Sequence, residues 1–253
     1  MCDADHKHDQ DASKTGTSGK GSGSALEWHD GDMPFSPLFQ DHYYSKADGR
    51  AECNHVFIGA NRLPERWPKN DTFRIGELGF GTGLNFCETA RQFRLARLPD
   101  ARLEFISFER FPMKGSEIAK ALSHWPEIQK EANMLVKNWQ DTPDDVIEIA
   151  FAPNIRLQVF CGDAFERLSS FPGACDAWFL DGFAPSRNPD MWTGPSMQAV
   201  FDHTITGGTF ATYTAAGFVR RHLIAAGFEV EKRPGFAGKR EMLAGIRPVS
   251  GNV

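Results

Sequence analysis

The run FRIGELGFGTGLNF, residues 73–86, passes from β-prone residues through three alternating glycines into residues that favour a helix. The glycines are Gly79, Gly81 and Gly83. A strand, a tight turn and a helix N-terminus in this order bring backbone N–H groups close to an anionic or polar ligand. We therefore predict an α/β fold whose ligand site begins at this turn.

A second run, AWFLDGFAPSRNPDMW at residues 177–192, places an acid directly after an apolar strand. Residues 177–180 are an apolar run that delivers Asp181 to the carboxyl end of the predicted strand. Open α/β sheets hold their ligands outside the carboxyl ends of their strands. The loop after Asp181 is rich in proline and aromatic residues and is long for a simple connection between a strand and a helix. We expect Asp181 to face a substrate, although a turn residue before Gly182 is the alternative reading.

Strands and helices are predicted to alternate along the central part of the chain. The predicted strands are 73–78, 103–109, 156–161, 177–181 and 208–214, and the predicted helices are 84–96, 114–122, 127–137 and 216–226. Such alternation is typical of a parallel sheet flanked by helices. Residues 228–233 and 241–246 are β-prone and joined by PGFAGK, which predicts a C-terminal antiparallel hairpin.

The predicted domain organisation follows from changes in composition. Residues 1–24 are polar and almost free of apolar side chains, which predicts a disordered tail. Residues 25–72 are aromatic and rich in turns, and we expect a cap segment there. The catalytic domain is predicted at 73–247, and a short tail at 248–253.

Composition excludes several classes of protein. The 253 residues are 41% hydrophobic and 24% charged, as in globular proteins, and no apolar run approaches the ~18 residues of a membrane span. Five widely spaced cysteines without a CxxC pair are typical of reduced thiols, so we expect a cytoplasmic protein without a metal site. The net charge of −5 argues against a uniformly basic nucleic-acid binder but allows a local basic patch.

The spacing of the glycines distinguishes between nucleotide cofactors. A dinucleotide fingerprint requires a small residue where this chain has Leu84. Glu77, two residues before the first glycine, would repel a pyrophosphate but suits the ammonium group of S-adenosylmethionine. Glu109 ends the second strand, where a carboxylate can accept from ribose hydroxyls, and Asp163 follows the third, where it can accept from an adenine amino group. The predicted cofactor is S-adenosylmethionine, and the predicted binding residues are Glu77, Gly79, Phe80, Gly81, Thr82, Gly83, Asn85, Glu109, Asp163 and Asp181.

Methyl transfer from a sulfonium is an in-line displacement, so the enzyme mainly aligns the reacting groups and excludes water. An ordinary carboxylate with a pKa near ~4 is about six units too weak to deprotonate an aliphatic amine near ~10, a gap of roughly 8 kcal/mol. We therefore predict that Asp181 accepts a hydrogen bond from the neutral amine, orients its lone pair and stabilises the ammonium that forms.

Long segments of the chain resemble the methyltransferase portion of bacterial MnmC-type tRNA-modifying enzymes. They are ELGFGTGLNF, FISFERFP, DAWFLDGFAPSRNPDMW and AGFVRRHLIAAGFEVEKRPGFAGKREML, and the resemblance covers roughly Leu26 to Arg247. It implies a Rossmann-like class I S-adenosylmethionine-dependent methyltransferase fold with a mostly parallel sheet and a C-terminal antiparallel hairpin. The implied reaction is methylation of 5-aminomethyl-2-thiouridine at the tRNA wobble position, giving 5-methylaminomethyl-2-thiouridine. By the family motif, Asp181 is the catalytic acid.

In two-domain members of that family a flavin-dependent oxidoreductase follows the methyltransferase. Here the chain ends eight residues after Gly245 without a second glycine fingerprint. The expectation is a stand-alone methyltransferase or an excised N-terminal half, without flavin chemistry of its own. A functional link to such an oxidoreductase, or to the enzymes that install the aminomethyl group, is expected.

A local basic patch is predicted near the C-terminus, where residues 215–248 carry seven basic and three acidic side chains. The expected RNA contacts are Arg187, Arg220, Lys239 and Arg240. The aromatic residues expected to stack on an extruded wobble base of the tRNA anticodon loop are Tyr43, Tyr44, Phe183 and Trp192, although buried packing is the commoner fate of such side chains.

Three other functions remain open at this point. The first is a methyltransferase acting on a small-molecule amine, which the negative net charge mildly favours. The second is an NAD-dependent oxidoreductase, against which Glu77 and Leu84 argue. The third is a non-catalytic binding domain that keeps the cofactor fold.

Overall fold

The computed structural model describes residues 26–29, 31–68, 71–96, 98 and 100–249. The predicted disordered tail at 1–24 and most of the tail at 248–253 lie outside the described residues. The strands are β1 Glu27–His29, β2 Met33–Ser36, β3 Asp41–His42, β4 Thr72–Leu78, β5 Arg102–Glu109, β6 Val146–Ala152, β7 Ile155–Cys161, β8 Cys175–Leu180, β9 Thr204–Thr212, β10 Glu229–Pro234 and β11 Glu241–Ile246.

Helices connect most of these strands. They are α1 Gly49–Glu52, α2 Leu63–Arg66, α3 Leu84–Leu95, α4 Gly115–Leu122, α5 Gln129–Asn138, α6 Ala164–Ser169, α7 Gly194–Asp202 and α8 Gly217–Ala226. A π-helical segment, Cys53–Gly59, continues directly from α1, and two short 3₁₀ turns lie at Pro126–Ile128 and Pro189–Trp192. None of the helices in the described ranges combines the length and apolar character that a membrane span requires.

The central sheet has eight strands in the order β10-β11-β9-β8-β4-β5-β7-β6. Strands β7, β5, β4, β8 and β9 are parallel, whereas β6, β11 and β10 run antiparallel to their neighbours. The predicted parallel sheet and the C-terminal hairpin are therefore confirmed. Chain order reverses at β4, which lies between β5 and β8. This is the topological switch point at which open α/β sheets bind their ligands.

Three elements of the central sheet and of the helices that flank it were not predicted. Strand β6 lies at one edge of the sheet, and its Ile147, Ile149 and Phe151 side chains are buried while the residues between them are more exposed. Helices α6 and α7 lie in parts of the chain for which the sequence predicts no helix.

The cap segment packs against the sheet. The Phe57 ring, in the π-helical segment, stacks on the Phe179 ring of β8 with centroids 5.2 Å apart, and both side chains are buried. Burial of each such side chain contributes about 1.5–3 kcal/mol to folding. Arg50 of α1 also donates from Nε to Oε2 of the fully buried Glu88 at 2.9 Å. The cap therefore shares one hydrophobic core with the sheet and an ion pair with α3.

Candidate active site

The turn after β4 has the backbone conformation that its glycines permit. Gly79, Gly81 and Gly83 have φ values of 87°, 53° and 75°, in the left-handed region that favours glycine. A Cβ atom on Gly79 would lie 3.2 Å from the Cα of Gly182, tighter than an ordinary van der Waals contact. The turn after β4 thus touches the turn that follows Asp181.

Glu109, at the end of β5, binds the glycine turn directly. Its Oε2 accepts from the Gly81 N–H at 3.0 Å and its Oε1 accepts from the Phe111 N–H at 2.7 Å. Burial raises the pKa of Glu109, and the backbone donors oppose that rise. The carboxylate lies in the cleft above β4 and β5.

Asp163 lies shortly after the end of β7 and lines the cleft. It is also the N-cap residue of α6. Its Oδ1 caps α6 by accepting from the Phe165 and Glu166 N–H groups at 3.0 and 3.2 Å. Its Oδ2 lies 3.7 Å from Arg110 Nη1. One carboxylate oxygen is thus occupied by the helix, and the other faces an exposed cation.

An amide bridges the two acids at the tips of β4 and β8. Asn85 Nδ2 donates to Glu77 Oε1 at 2.9 Å and to Asp181 Oδ2 at 2.7 Å. Glu77 is fully buried, and its Oε2 accepts from Ser107 Oγ at 2.7 Å. Burial raises the pKa of Glu77 well above its usual range. Asn85 is therefore held at its position by Glu77 and presents its second N–H to Asp181.

Asp181 has the titration behaviour of a functional carboxylate. Burial raises its pKa to about 7, and the negative charge of Glu52 adds to the rise. The hydrogen bond from Asn85, the 2.8 Å bond from the Gly182 N–H and the positive charge of Lys239 oppose it. A strongly shifted carboxylate in a cleft marks a candidate functional site.

The cleft has a volume of about 450 Å³, within the range of small-molecule sites. Of the predicted cofactor residues, those that line it are Gly79, Phe80, Gly81, Thr82, Asn85, Glu109, Asp163 and Asp181. Glu77 and Gly83 are not among the lining residues. The Glu77 carboxyl reaches the cleft only through Asn85, because the Glu77 side chain is completely buried and does not line the cleft.

The same cleft is also lined by residues that no sequence motif indicated. Glu52, Phe57 and Tyr213 are the main ones, with Phe165 at the start of α6. Tyr213 directly follows β9, so the rule that places ligands at the carboxyl ends of strands could have found it. Glu52 lies in the cap segment, and no motif around it pointed to the site.

An aromatic wall, formed by Phe39, Tyr43 and Phe183, lines one side of the cleft. The Phe39 and Phe183 rings are stacked with centroids 4.5 Å apart, and Tyr43 meets Phe183 edge-on at 4.9 Å. Tyr44 also lines the cleft. The expectation of an exposed Trp192 is wrong, because its side chain is completely buried and its Nε1 donates to the Phe183 carbonyl at 3.1 Å. Trp192 supports the wall from behind.

The four predicted RNA contacts differ in their surroundings. Arg187 and Arg240 are exposed, whereas Arg220 is half-buried and its Nε lacks a hydrogen-bond partner in the described part of the chain. Lys239 is exposed, but its Nζ lies 2.7 Å from Glu52 Oε1 and 4.4 Å from the centre of the Tyr213 ring.

This arrangement fits S-adenosylmethionine. The turn leaves room close to the backbone, acids stand at three strand tips, and the cleft is of suitable size. A family model described as S-adenosyl-L-methionine-dependent methyltransferase matches residues 126–248. The fold and the site therefore define an S-adenosylmethionine-dependent methyltransferase of the class I, Rossmann-like type. The cofactor and enzyme class predicted from the sequence are confirmed, and the NAD-dependent alternative is wrong.

Curated relatives identify the family more narrowly. The tRNA 5-methylaminomethyl-2-thiouridine biosynthesis bifunctional protein MnmC of Chromohalobacter salexigens is 43% identical over 226 residues, which are 87% of this chain and 32% of that protein. The MnmC protein of Aeromonas hydrophila is 44% identical over 237 residues, covering 88% of this chain and 35% of its own length. The chain belongs to the family of the MnmC methyltransferase domain, and it spans about a third of the length of these relatives.

A solved structure agrees with the fold. The crystal structure of MnmC2 from Aquifex aeolicus superimposes with a TM-score of 0.70 at 22% sequence identity, and the match covers 92% of this chain and 74% of that one. At this level of identity the match supports the fold alone.

Proposed function

We propose that this protein transfers a methyl group from S-adenosylmethionine to the primary amine of 5-aminomethyl-2-thiouridine at the tRNA wobble position, forming 5-methylaminomethyl-2-thiouridine. The observation that carries the proposal is the Asp181 carboxylate, at a strand tip beside the glycine turn and in one cleft with an aromatic wall. That combination suits a flat base that carries an amine. The names of the MnmC relatives, which specify biosynthesis of this nucleoside, support the same substrate.

The cofactor half of the cleft is assigned to the tips of strands β4, β5 and β7. Glu109 would accept from the ribose hydroxyls, and Asp163 Oδ2 from the adenine amino group. The backbone around Gly81 would face the amino-acid portion, with Glu77 acting through Asn85. When bound, S-adenosylmethionine supplies an electrophilic methyl group on a sulfonium.

Asp181 is proposed to hold the substrate amine. Its pKa of about 7 lies about three units below an aliphatic amine near ~10, a gap of roughly 4 kcal/mol instead of the 8 kcal/mol of an ordinary carboxylate. This gap still disfavours full proton transfer to Asp181. The carboxylate therefore acts by accepting a hydrogen bond from the amine, orienting its lone pair and stabilising the cation as the new N–C bond forms.

The tRNA is proposed to bind across the mouth of the cleft. Arg187 lies on the Asp181 loop and Arg240 precedes β11, so two exposed cations lie in chain segments that also contribute to the cleft. Arg187 and Arg240 would contact phosphates, and Phe183 and Tyr43 would stack on the extruded base. The enzymes that produce the aminomethyl group, including a flavin-dependent oxidoreductase, must act before this step, and we place the reaction in the cytoplasm.

The experiment is a methyl-transfer assay with labelled S-adenosylmethionine. Two tRNA preparations are compared: one bearing 5-aminomethyl-2-thiouridine and one with an unmodified wobble uridine. We expect label only in the first, recovered as 5-methylaminomethyl-2-thiouridine after digestion. Equal labelling of both preparations, or label at another nucleoside, would contradict the proposed substrate, and transfer to free small amines alone would favour the small-molecule alternative.

A further inference from the structure

A cation already occupies one corner of the cleft. The Lys239 ammonium binds Glu52 Oε1 at 2.7 Å and lies 4.4 Å from the centre of the Tyr213 ring. Glu52 ends α1 in the cap, Tyr213 follows β9, and Lys239 lies in the loop of the β10–β11 hairpin. Three distant parts of the chain thus meet around a single ammonium group.

This corner is connected to Asp181 by two hydrogen bonds. The Tyr213 hydroxyl donates to the Gly182 carbonyl at 2.8 Å, and the Gly182 N–H donates to Asp181 Oδ1 at 2.8 Å. Burial raises the pKa of Tyr213 well above its usual value, so the hydroxyl stays a donor. The ring is therefore fixed in orientation beside the reacting carboxylate.

The two partners of Lys239 are the groups that recognise a cation in proteins. A carboxylate provides a charge-assisted hydrogen bond, and the face of an aromatic ring attracts an ammonium through its quadrupole. The Glu52 side chain is only 12% exposed, so its charge needs a cation nearby. The Lys239 side chain is 44% exposed and its stem is flexible, so its ammonium can leave towards solvent.

We propose that Glu52 and the Tyr213 ring form the subsite for the primary amine of the substrate, and that Lys239 occupies this subsite until the substrate displaces it. The proposal rests on the proposed function in that the substrate carries a primary amine. Exchange of one ammonium for another keeps Glu52 paired while the substrate binds. The bound ammonium then releases one proton to solvent, and the neutral amine that remains donates a hydrogen bond to Asp181. After methylation the nitrogen is again a cation that pairs with Glu52, and Lys239 returns when this product leaves.

The proposal assigns Lys239 a different task from the predicted phosphate contact, and the two can be separated. Lys239→Met removes the resident cation and keeps an unbranched side chain of nearly the same length. It should leave the binding preference for aminomethyl-bearing over unmodified tRNA unchanged or increase it. Glu52→Gln should reduce that preference at least tenfold. Affinity for S-adenosylmethionine, measured on each variant, should match the wild type and verifies that the fold is intact.

A matched control is Glu127→Gln. Glu127 also pairs the cap with the rest of the chain, through Arg50 Nη1 at 3.1 Å, but it lies outside the cleft. The Glu127→Gln variant should keep the full binding preference for aminomethyl-bearing over unmodified tRNA. The proposal is overturned if Glu52→Gln keeps the wild-type preference, if Glu127→Gln loses it equally, or if Lys239→Met weakens binding of both tRNAs alike, as loss of a phosphate contact would.

A second measurement keeps this inference separate from the proposed substrate. Crystals of the wild-type protein soaked with benzylamine should show its ammonium between Glu52 and Tyr213, with the Lys239 side chain displaced. That result supports the subsite even if the wild type fails to methylate tRNA, in which case only the proposed substrate is lost. Benzylamine bound elsewhere, or absent from the cleft at 50-fold excess over the protein, counts against the subsite.

Discussion

Substitution of Asn85 by alanine tests how the site controls the charge of Asp181. In the structure the Asn85 amide donates to Asp181 at 2.7 Å and to Glu77 at 2.9 Å. Alanine removes the hydrogen bond that stabilises the ionised form of Asp181, while the burial that raises its pKa remains. The pKa of Asp181 should therefore rise further.

The magnitude follows from the strength of that hydrogen bond. A bond to a charged group contributes about 1.5–3 kcal/mol, and one pKa unit corresponds to about 1.4 kcal/mol, so the pKa rises by about one to two units. Starting from a pKa of about 7, the ionised fraction of Asp181 at pH 7 falls from about one half to between ~1% and ~10%. Because the ionised form accepts the bond from the amine, kcat/KM at pH 7 should fall about 5- to 50-fold.

The assay is the pH profile of kcat/KM for aminomethyl-bearing tRNA at saturating S-adenosylmethionine. In the Asn85→Ala variant the acid limb of this profile should move to higher pH by about one to two units, and kcat/KM should recover at alkaline pH. Ser107→Ala is the control, because Ser107 donates to Glu77 and makes no bond to Asp181. An unmoved limb in Asn85→Ala, or an equal shift in Ser107→Ala, would refute the reasoning.

Asp181→Asn should retain affinity for S-adenosylmethionine by calorimetry while single-turnover transfer falls about 100-fold or more; near-normal turnover would remove Asp181 from the mechanism. Gly79→Ala should lower stability by about 1–3 kcal/mol in urea unfolding and weaken cofactor binding, because φ is 87° and the new Cβ meets backbone at 3.2 Å. Gly207 also has a positive φ, 77°, but nothing lies within 4 Å of an added Cβ, so Gly207→Ala should lower stability by only about 1–2 kcal/mol and bind cofactor normally. A similar loss of cofactor affinity in the two variants would contradict the role given to the contact between Gly79 and Gly182. Arg187→Gln combined with Arg240→Gln should raise the KM for tRNA about tenfold and reduce the salt slope of binding by about 2, with cofactor affinity unchanged; an unaltered slope would exclude these two phosphate contacts.

Much of the sheet could be predicted because most of its parallel strands are rich in β-branched, leucine and aromatic residues and end at or just before a glycine or an acid. The β4 and β8 runs ending at Leu78 and Leu180 are of this kind, and their bounds agree closely with the predicted ones. Strand β6 escaped prediction because it is an edge strand whose apolar residues alternate with more exposed ones, and the preceding loop obscured its start. Its period of two was nevertheless visible in VIEIAFA.

Side-chain environment was harder to predict than strand position. Trp192 lies in a loop of polar and turn-forming residues, and nothing local shows that α7 and α8 enclose its ring. Glu52 reaches the cleft because the cap folds over the strand tips, so its role depends on contacts with residues such as Lys239, more than 180 positions away in the chain. Contacts of this range have no signature in local periodicity or spacing.

The origin of each wall of the cleft bears on how substrate choice arises in this fold. The strand tips of β4, β5 and β7 supply the acids assigned to the cofactor, and they belong to the sheet itself. The aromatic wall and Glu52 come from the cap or from the long loop after β8, and Lys239 comes from the terminal hairpin. Because the sheet presents the same strand tips whatever surrounds them, the groups that distinguish an amine-bearing base from other methyl acceptors must come from these additions. It follows that changes in the cap should alter acceptor specificity more than cofactor affinity. Changes at Glu109 or in the glycine turn should alter cofactor affinity more than acceptor specificity.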